Sequence, residues 1–314
     1  MFEEKKAVFV YCLSPVHMGA GSALGVIDNP IQRERHTGYP TIAGSGLKGA
    51  IRHHYWAQAG GDKDAREIIN SVFGPEPESS GDHAGAISFM DAQLVAFPVR
   101  CARKAFAYAT SPTLLARLKR TLSVAGQTIN WNLDSLNLDS VQDQPCKLPE
   151  RSIDDKGRVL LEAFAFKAEE SLDLREIAHW LSENALPKDD AYAFFRDKLK
   201  TDLVLLSDND LRYFVQNATI VEPHVRINDV TGTAEEGGLF YTENLPPETV
   251  LASLAMASVE RKENGLDAKA VMDALMSGFD RGDGGARVRG INGTVIQIGG
   301  DATTGRGQVV FQAL

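Results

Sequence analysis

The chain has 314 residues, 43% hydrophobic and 24% charged, a globular composition that excludes wholesale disorder. At about 150 residues per domain this length allows two domains, or one domain with insertions. Thirty-three basic residues face 42 acidic ones, and the net charge of -9 taken alone argues against a polyanionic partner.

Residues 7–13 (Ala-Val-Phe-Val-Tyr-Cys-Leu) are β-rich and nearly all apolar, so they read as a buried strand. The run is too short to span a membrane. Glu3, Glu4, Lys5 and Lys6 precede it and no small-residue cleavage site follows, so it does not read as a signal peptide. Cys12, Cys101 and Cys146 form no C-x-x-C, which disfavours a disulfide framework or zinc ribbon and suits a reducing compartment. A soluble, cytoplasmic protein with no membrane partner is expected. Residues 14–45, rich in Gly, Pro, His and charge, carry no helical period, and a loop of that length is functional or disordered. Helices are predicted over 46–59, stopped by Gly60 and Gly61, and over 63–73, ended by Gly74 and Pro75. A turn-rich linker occupies 75–85, and 86–97 alternates as strands. In the helix at 111–124, Pro112 sits in the first turn, and Leu114, Leu115, Leu118 and Leu122 share a face. Polar residues 128–147 read as an irregular insertion. Then come a strand at 159–167, helices at 174–186 and 191–199, a strand at 204–207 and a helix at 208–217. An extended hairpin excursion spans 219–245. A strand at 247–257, a helix at 268–279, and strands at 295–299 and 308–311 around a Gly-rich loop complete the chain. Strands interleave irregularly with helices, which predicts α+β with insertions rather than a doubly wound sheet.

Glycine clusters are the first places to look for chemistry. Gly44-Ser45-Gly46-Leu47-Lys48-Gly49 fits G-x-G-x-x-G, and Asp64 follows about 20 residues on, so a dinucleotide-binding oxidoreductase is one alternative. The segment before it is a poor buried strand, which weakens that reading. What survives is a Gly-rich helix N-terminus offering N–H groups to an anion, with Lys48 and Arg52 on one helix face. Gly299-Gly300-Asp301-Ala302-Thr303-Thr304-Gly305-Arg306-Gly307 has phosphate-loop spacing but lacks the Lys-Ser/Thr that nucleotide hydrolysis requires. It reads either as a hairpin loop or as a backbone that approaches a phosphate closely. In the first long loop Asp28 lies with His17, Arg33, Arg35 and His36, the side-chain types that cleavage of a phosphodiester uses. A single loop Asp is also commonly a turn or cap residue. Residues 98–131 carry Arg100, Arg103, Lys104, Arg117, Lys119 and Arg120 with no acid, interleaved with Phe106, Tyr108 and Trp131. Such a run suits single-stranded nucleic acid, and it makes the net charge an average over two unlike surfaces.

The string His17-x-Gly19-x-Gly21, Gly25-x-Ile27-Asp28-x-Pro30-x-x-Arg33, Gly38-x-Pro40-x-Ile42-x-Gly44-Ser45-Gly46-Leu47-Lys48-Gly49-x-x-Arg52 resembles the RAMP superfamily of CRISPR proteins. The loop Gly299-Gly300 to Gly305-Arg306-Gly307 is similar to that superfamily's glycine-rich loop. Residues 97–112 and 235–246 narrow the resemblance to the multi-copy backbone subunit of type III-B (Cmr-type) effector complexes.

The resemblance implies a single domain over 1–314: a ferredoxin-like (RRM-like) palm, a helical or irregular insertion at about 126–203, and a protruding thumb hairpin at about 219–246. It implies a filament of identical copies along a guide RNA, with other Cmr-type subunits as partners. Each copy would cut complementary single-stranded target RNA at regular intervals, with a divalent metal, Mg2+ or Mn2+. Asp28 occupies the position of the key cleavage acid and would hold the metal. His17 matches another position linked to activity, and Glu236, Tyr241 and Glu243 are candidates for supporting the cut. Arg33, Ser45, Lys48, Arg52, Arg103, Lys104, Gly299, Gly300 and Arg306 are the candidate RNA contacts. Gly46 stands where many relatives carry Ser, which removes a hydroxyl donor and leaves the backbone. RNA brings its own nucleophile, the 2′-OH, so orienting the ribose or holding a metal suits Asp28 better than acting as a base. A structural guide-binding subunit without catalysis is the other alternative.

Overall fold

In β1 (Glu4–Cys12), Ala7 to Cys12 are buried without alternation because the strand has a core on each face. Val8, Val10 and Cys12 enter one core, and Ala7, Phe9 and Tyr11 the other. The computed structural model describes residues 2–76, 84–138, 144–261, 265–282 and 284–314. The middle of the linker expected at 75–85, and 139–143 of the segment expected to be irregular at 128–147, lie outside the described residues.

After the first long loop come β2 (Thr41–Ile42), α1 (Gly44–Ala59), α2 (Lys63–Phe73), β3 (Ile87–Phe89), β4 (Ala92–Cys101), β5 (Ala105–Thr110) and α3 (Pro112–Val124). The middle of the chain holds β6 (Pro145–Leu148), β7 (Arg158–Leu161), β8 (Phe164–Glu170), α4 (Leu172–Asn184), α5 (Ala193–Thr201), β9 (Leu203–Leu205) and α6 (Asp208–Asn217). Then follow β10 (Ile220–Ile227), β11 (Ala234–Asn244), β12 (Val250–Ala257), α7 (Ala268–Ser277), β13 (Gly278–Asp280), β14 (Arg287–Arg289), β15 (Val295–Gln297) and β16 (Gln308–Ala313). Side chains of Asp62, Ser111, Ser171, Ser207 and Asp267 cap α2, α3, α4, α6 and α7 by accepting orphan N–H groups, so those helices start where polar residues precede apolar periodicity.

The main sheet runs β15-β16-β1-β12-β4, with every neighbour antiparallel. α1 and α7, which follow β1 and β12, share the core of Val8 and Val10, and the Tyr55 hydroxyl on α1 donates to the Ala274 carbonyl on α7 at 3.1 Å. α3 and α4 cover the opposite face through Leu115, Leu118, Ile177 and Leu181.

β4 serves two sheets. Its first half pairs with β12 and its second with β5. From there the order β5-β9-β6-β8-β7 returns to β4 through Cys101 opposite Leu161, closing a ring of six strands. The span 126–203, expected to be helical or irregular, thus supplies β6, β7 and β8 to a sheet as well as α4 and α5. The strand expected at 159–167 is two strands, β7 and β8, turned at Glu162 with φ +50. β10 and β11 form a two-stranded hairpin apart from the main sheet, bridged to the first long loop where Asn29 meets Thr242.

Glu248 sits in the turn joining that hairpin to β12, at φ +70, a left-handed conformation unusual for a residue with a Cβ. One of its carboxylate oxygens, Oε2, is buried without a partner, and burial pushes the carboxyl up from 4.5 to about 7. An acid raised on folding binds more protons in the folded chain, so its contribution is present at low pH. It is lost as pH rises from about 4.5 to about 7. Glu248→Gln is therefore expected to flatten the thermal-stability profile across that window and to melt above wild type at pH 8. Parallel melting profiles for the two proteins would contradict it.

Candidate functional site

The long loop between β1 and α1 wraps the root of the hairpin. Its first arm pairs Val16 with Leu245, and its second pairs Asn29 with Thr242. Asn29 N–H donates to the Tyr241 carbonyl at 3.0 Å, and Glu243 N–H donates to the Asn29 carbonyl at 3.0 Å. Asp28 sits where the hairpin leaves the body. Its Oδ2 accepts the Tyr241 N–H at 2.8 Å. Its Oδ1 has no partner among the described residues, so the half-buried carboxylate keeps one oxygen for a ligand.

Two residues further along β11, His17 Nδ1 lies 2.7 Å from the Glu243 carbonyl. A carbonyl only accepts, so Nδ1 carries a proton, and in the neutral imidazole Nε2 is the bare nitrogen. The C-terminal glycine loop closes over this histidine. Gly300 N–H donates to the His17 carbonyl at 2.9 Å, and a Cβ at Gly299 (φ +72) would lie 2.2 Å from that same oxygen. Only glycine permits that approach. The first turn of α1 abuts the same loop, since a Cβ at Gly46 would lie 2.7 Å from the Met18 methyl. A serine there, as the family resemblance implies, would need only the flexible Met18 side chain to shift. α1 has no side-chain cap of the usual kind: Asp91 takes the Gly44 N–H at 2.8 Å, and the N–H groups of Ser45 and Gly46 have no acceptor among the described residues. Ser45 is exposed there. Lys48 is half-buried with no hydrogen bond or ion pair among the described residues, and burial and then Arg52 lower its pKa. Arg52 bonds Asn70 at 3.0 Å.

Other candidates take different places. Arg33 Nη2 donates to Glu243 Oε1 at 2.5 Å, and its Nη1 to the carbonyls of Gly38 and Val215. Glu243, 3% exposed, also accepts from Thr219 and from the Ile31 N–H. Arg33 and Glu243 are thus the lock that holds loop and hairpin together. Arg306 makes a two-pronged pair with Glu222 on β10, fastening the glycine loop to the other strand. Tyr241 is half-buried at the root, next to Asp28. Glu236 is exposed five residues out along β11 from Tyr241, roughly 17 Å away at strand rise, so the hairpin does not bring it to Asp28.

The acid-free run at 98–131 is not acid-free in space. Glu162 pairs with Arg100, Asp155 with Arg103, Asp202 with Lys104 and Glu34 with Arg117. Tyr108 and Trp131 are buried in the second core. Arg103 and Lys104 each pair with an acid while their side chains stay 54% and 41% exposed, so the run is not a face of unpaired cations. The dinucleotide alternative fails too. Asp64 lies on α2 and pairs with Arg281, β2 is two residues long, and the sheet beside α1 is antiparallel.

No cluster of three or more His, Cys, Asp or Glu able to hold a metal occurs among the described residues. The donors present fit a divalent ion held by the Asp28 carboxylate together with oxygens of a bound phosphate, the arrangement Mg2+ commonly adopts, and not a cage built by protein alone. No helix among the described residues is long and apolar enough to cross a membrane.

A family model described as the RAMP superfamily matches residues 9–310. The chain is 36% identical, over 96% of its length and 93% of the relative's, to the CRISPR system Cmr endoribonuclease Cmr4 of Pyrococcus furiosus. It is 27% identical to the CMR subunit Cmr4 of Saccharolobus solfataricus, over 80% of its length and 84% of the relative's. The crystal structure of oligomeric Cmr4 from Pyrococcus furiosus superposes with a TM-score of 0.69 at 28% identity, over 99% of this chain and 97% of that one. A chain from the cryo-EM structure of a type III-B Cmr-beta complex bound to cognate target RNA has a TM-score of 0.70 at 22% identity, over 99% and 98% of the two chains, a likeness of fold.

Proposed function

This chain belongs to the RAMP superfamily, and from that premise we propose that it is the backbone subunit of a type III-B CRISPR ribonucleoprotein. In this reading copies of the chain stack along a guide RNA with other Cmr-type subunits and cut complementary target RNA at regular intervals in the cytoplasm. Sequence is read by base pairing and the protein reads backbone. The main-sheet order supports a ferredoxin-like palm, because β16-β1-β12-β4 with α1 after β1 and α7 after β12 is its strand and helix sequence. The separate hairpin β10–β11 suits a thumb.

The observation that carries the catalytic reading is the free Oδ1 of Asp28 at the hairpin root, where the first loop meets the hairpin. That loop also carries His17 to the glycine loop and Met18 to the first turn of α1. Cleavage needs the ribose 2′-OH in line with the scissile phosphate, and charge stabilised on the phosphate. Asp28 would orient the 2′-OH through Oδ1, and the bare Nε2 of His17 is suited to accept its proton. The open N–H groups of Ser45 and Gly46, with Lys48, Arg52 and the Gly299–Gly300 backbone, would grip the guide phosphates. A divalent metal bound at Asp28 would neutralise charge on the cleaved phosphate. A second reading has a specific basis: Asp28 already caps the Tyr241 N–H, the role of a purely structural loop residue.

The test is to load the assembled complex with a guide and offer end-labelled matching RNA. Evenly spaced fragments are expected. A single cut, or none with assembly intact, would sink the proposal.

A further inference from the structure

Lys48, Arg52 and Trp56 recur every four residues, so they line one face of α1. Arg66 and Asn70 recur likewise on α2. The two rows meet at the Trp56 indole. The Arg52 guanidinium carbon lies 5.1 Å from its ring centroid and that of Arg66 lies 4.6 Å away. Arg33, Arg100, Arg103, Lys104, Arg117 and Arg306 each meet a carboxylate. Lys48, Arg52 and Arg66, all half-buried, meet none among the described residues. Arg66 Nε is buried without a hydrogen-bond partner. The acids of α2 face elsewhere, since Asp64 and Glu67 line a separate 290 Å³ cavity with Arg281 and Glu260.

Two guanidinium groups, of Arg52 and Arg66, held at one indole, with Lys48 further along the same row and no carboxylate partner among the described residues, are a cost that an external anion would relieve. An indole takes the flat face of a guanidinium and leaves its N–H edge free, and that edge matches the paired oxygens of a phosphodiester. The row is also continuous with the open α1 N-terminus, roughly 16 Å from Ser45 to Trp56 at helical rise.

Resting on the proposed RNA-binding role, we propose that Arg66, stacked against Trp56, is an RNA-phosphate contact, extending the strand's path from the α1 N-terminus along the outer face of α1 and α2.

The test uses the purified full chain and fluorescein-labelled single-stranded RNA, titrated over a range of salt. Arg66→Gln is expected to weaken binding about 3- to 10-fold at low salt, and to lower the log–log salt slope by about one, with melting temperature unchanged. Arg66→Lys, which keeps charge but not the fork, should preserve the slope while losing part of the affinity, and it serves if the Gln variant fails to fold. Affinity and slope equal to wild type in a folded Arg66→Gln chain would overturn the inference. So would a change confined to self-association, which would mark a protein contact. If wild type binds RNA and the complex cuts at regular intervals while Arg66→Gln matches it, only this inference falls. If wild type binds no RNA and the complex does not cut at regular intervals, the functional reading falls first.

Discussion

Replacing Asp28 by Asn is expected to remove target-RNA cleavage almost completely, by at least about 100-fold, in a complex that still assembles on its guide. The substitution separates the two readings because of what it leaves in place. The carbonyl of the introduced amide can still accept the Tyr241 N–H that Oδ2 now takes, so the second arm of the loop stays docked on β11. Asn29 keeps its two backbone bonds to Tyr241 and Glu243. What disappears is the negative charge at the free oxygen, the property that holding a metal or orienting the 2′-OH by a charge-assisted hydrogen bond requires. A purely capping Asp28 would lose less than about 1 kcal/mol and no activity. Fragments of wild-type spacing and rate from Asp28→Asn complexes would therefore assign the residue to structure. His17→Gln offers a graded companion. Its amide can keep the bond to the Glu243 carbonyl but supplies no basic nitrogen, so a smaller loss of rate with normal assembly is expected.

The elements were largely legible because most announce themselves locally. β1 is uniformly apolar because both of its faces are covered, and the capped helices begin one residue after Ser or Asp. The six-stranded ring was not legible. β6, β7 and β9 are three or four residues long, too short for a period, and β5 pairs with β9 across about 95 residues. The ring closes through one residue pair, Cys101 and Leu161. The same distinction between local and distant governs the site. Asp28 and His17 stand out as reactive types in a loop with no helical pattern. Which cations are already committed cannot be read locally, since Asp155 lies 52 residues from Arg103, Asp202 lies 98 from Lys104, and Glu243 lies 210 from Arg33. A stretch without acids is basic in sequence and can be neutral in space. Arg33, Arg103 and Lys104 meet acids from distant segments, whereas Lys48, Arg52 and Arg66 on α1 and α2 meet none among the described residues.

Glu243→Ala should be the most destabilising change in the site, although Glu243 is not expected to touch RNA. Its carboxylate holds three partners from two segments: Arg33 and the Ile31 N–H from the first loop, and Thr219 at the start of the hairpin. The Arg33 side chain is 21% exposed and that of Glu243 is 3% exposed, so the pair is largely withdrawn from water. Removing one partner leaves a guanidinium with only the Gly38 and Val215 carbonyls, and a backbone N–H with no acceptor. Breaking such a buried pair costs about 3–5 kcal/mol, which in a chain of this size lowers the melting temperature on the order of 10 °C. Removing both members should cost less than the sum of the single changes, because Arg33→Met in the Glu243→Ala background takes away the orphaned charge. Strict additivity would show that the two residues do not act as a lock. The lock also sets the angle at which the hairpin leaves the body and the position of Asp28 beside it. Glu243→Gln, which keeps the shape but not the charge, is thus expected to retain the fold and yield target-RNA fragments less sharply spaced than wild type. Sharp, wild-type spacing from that variant would mean that the hairpin root is held without the ion pair.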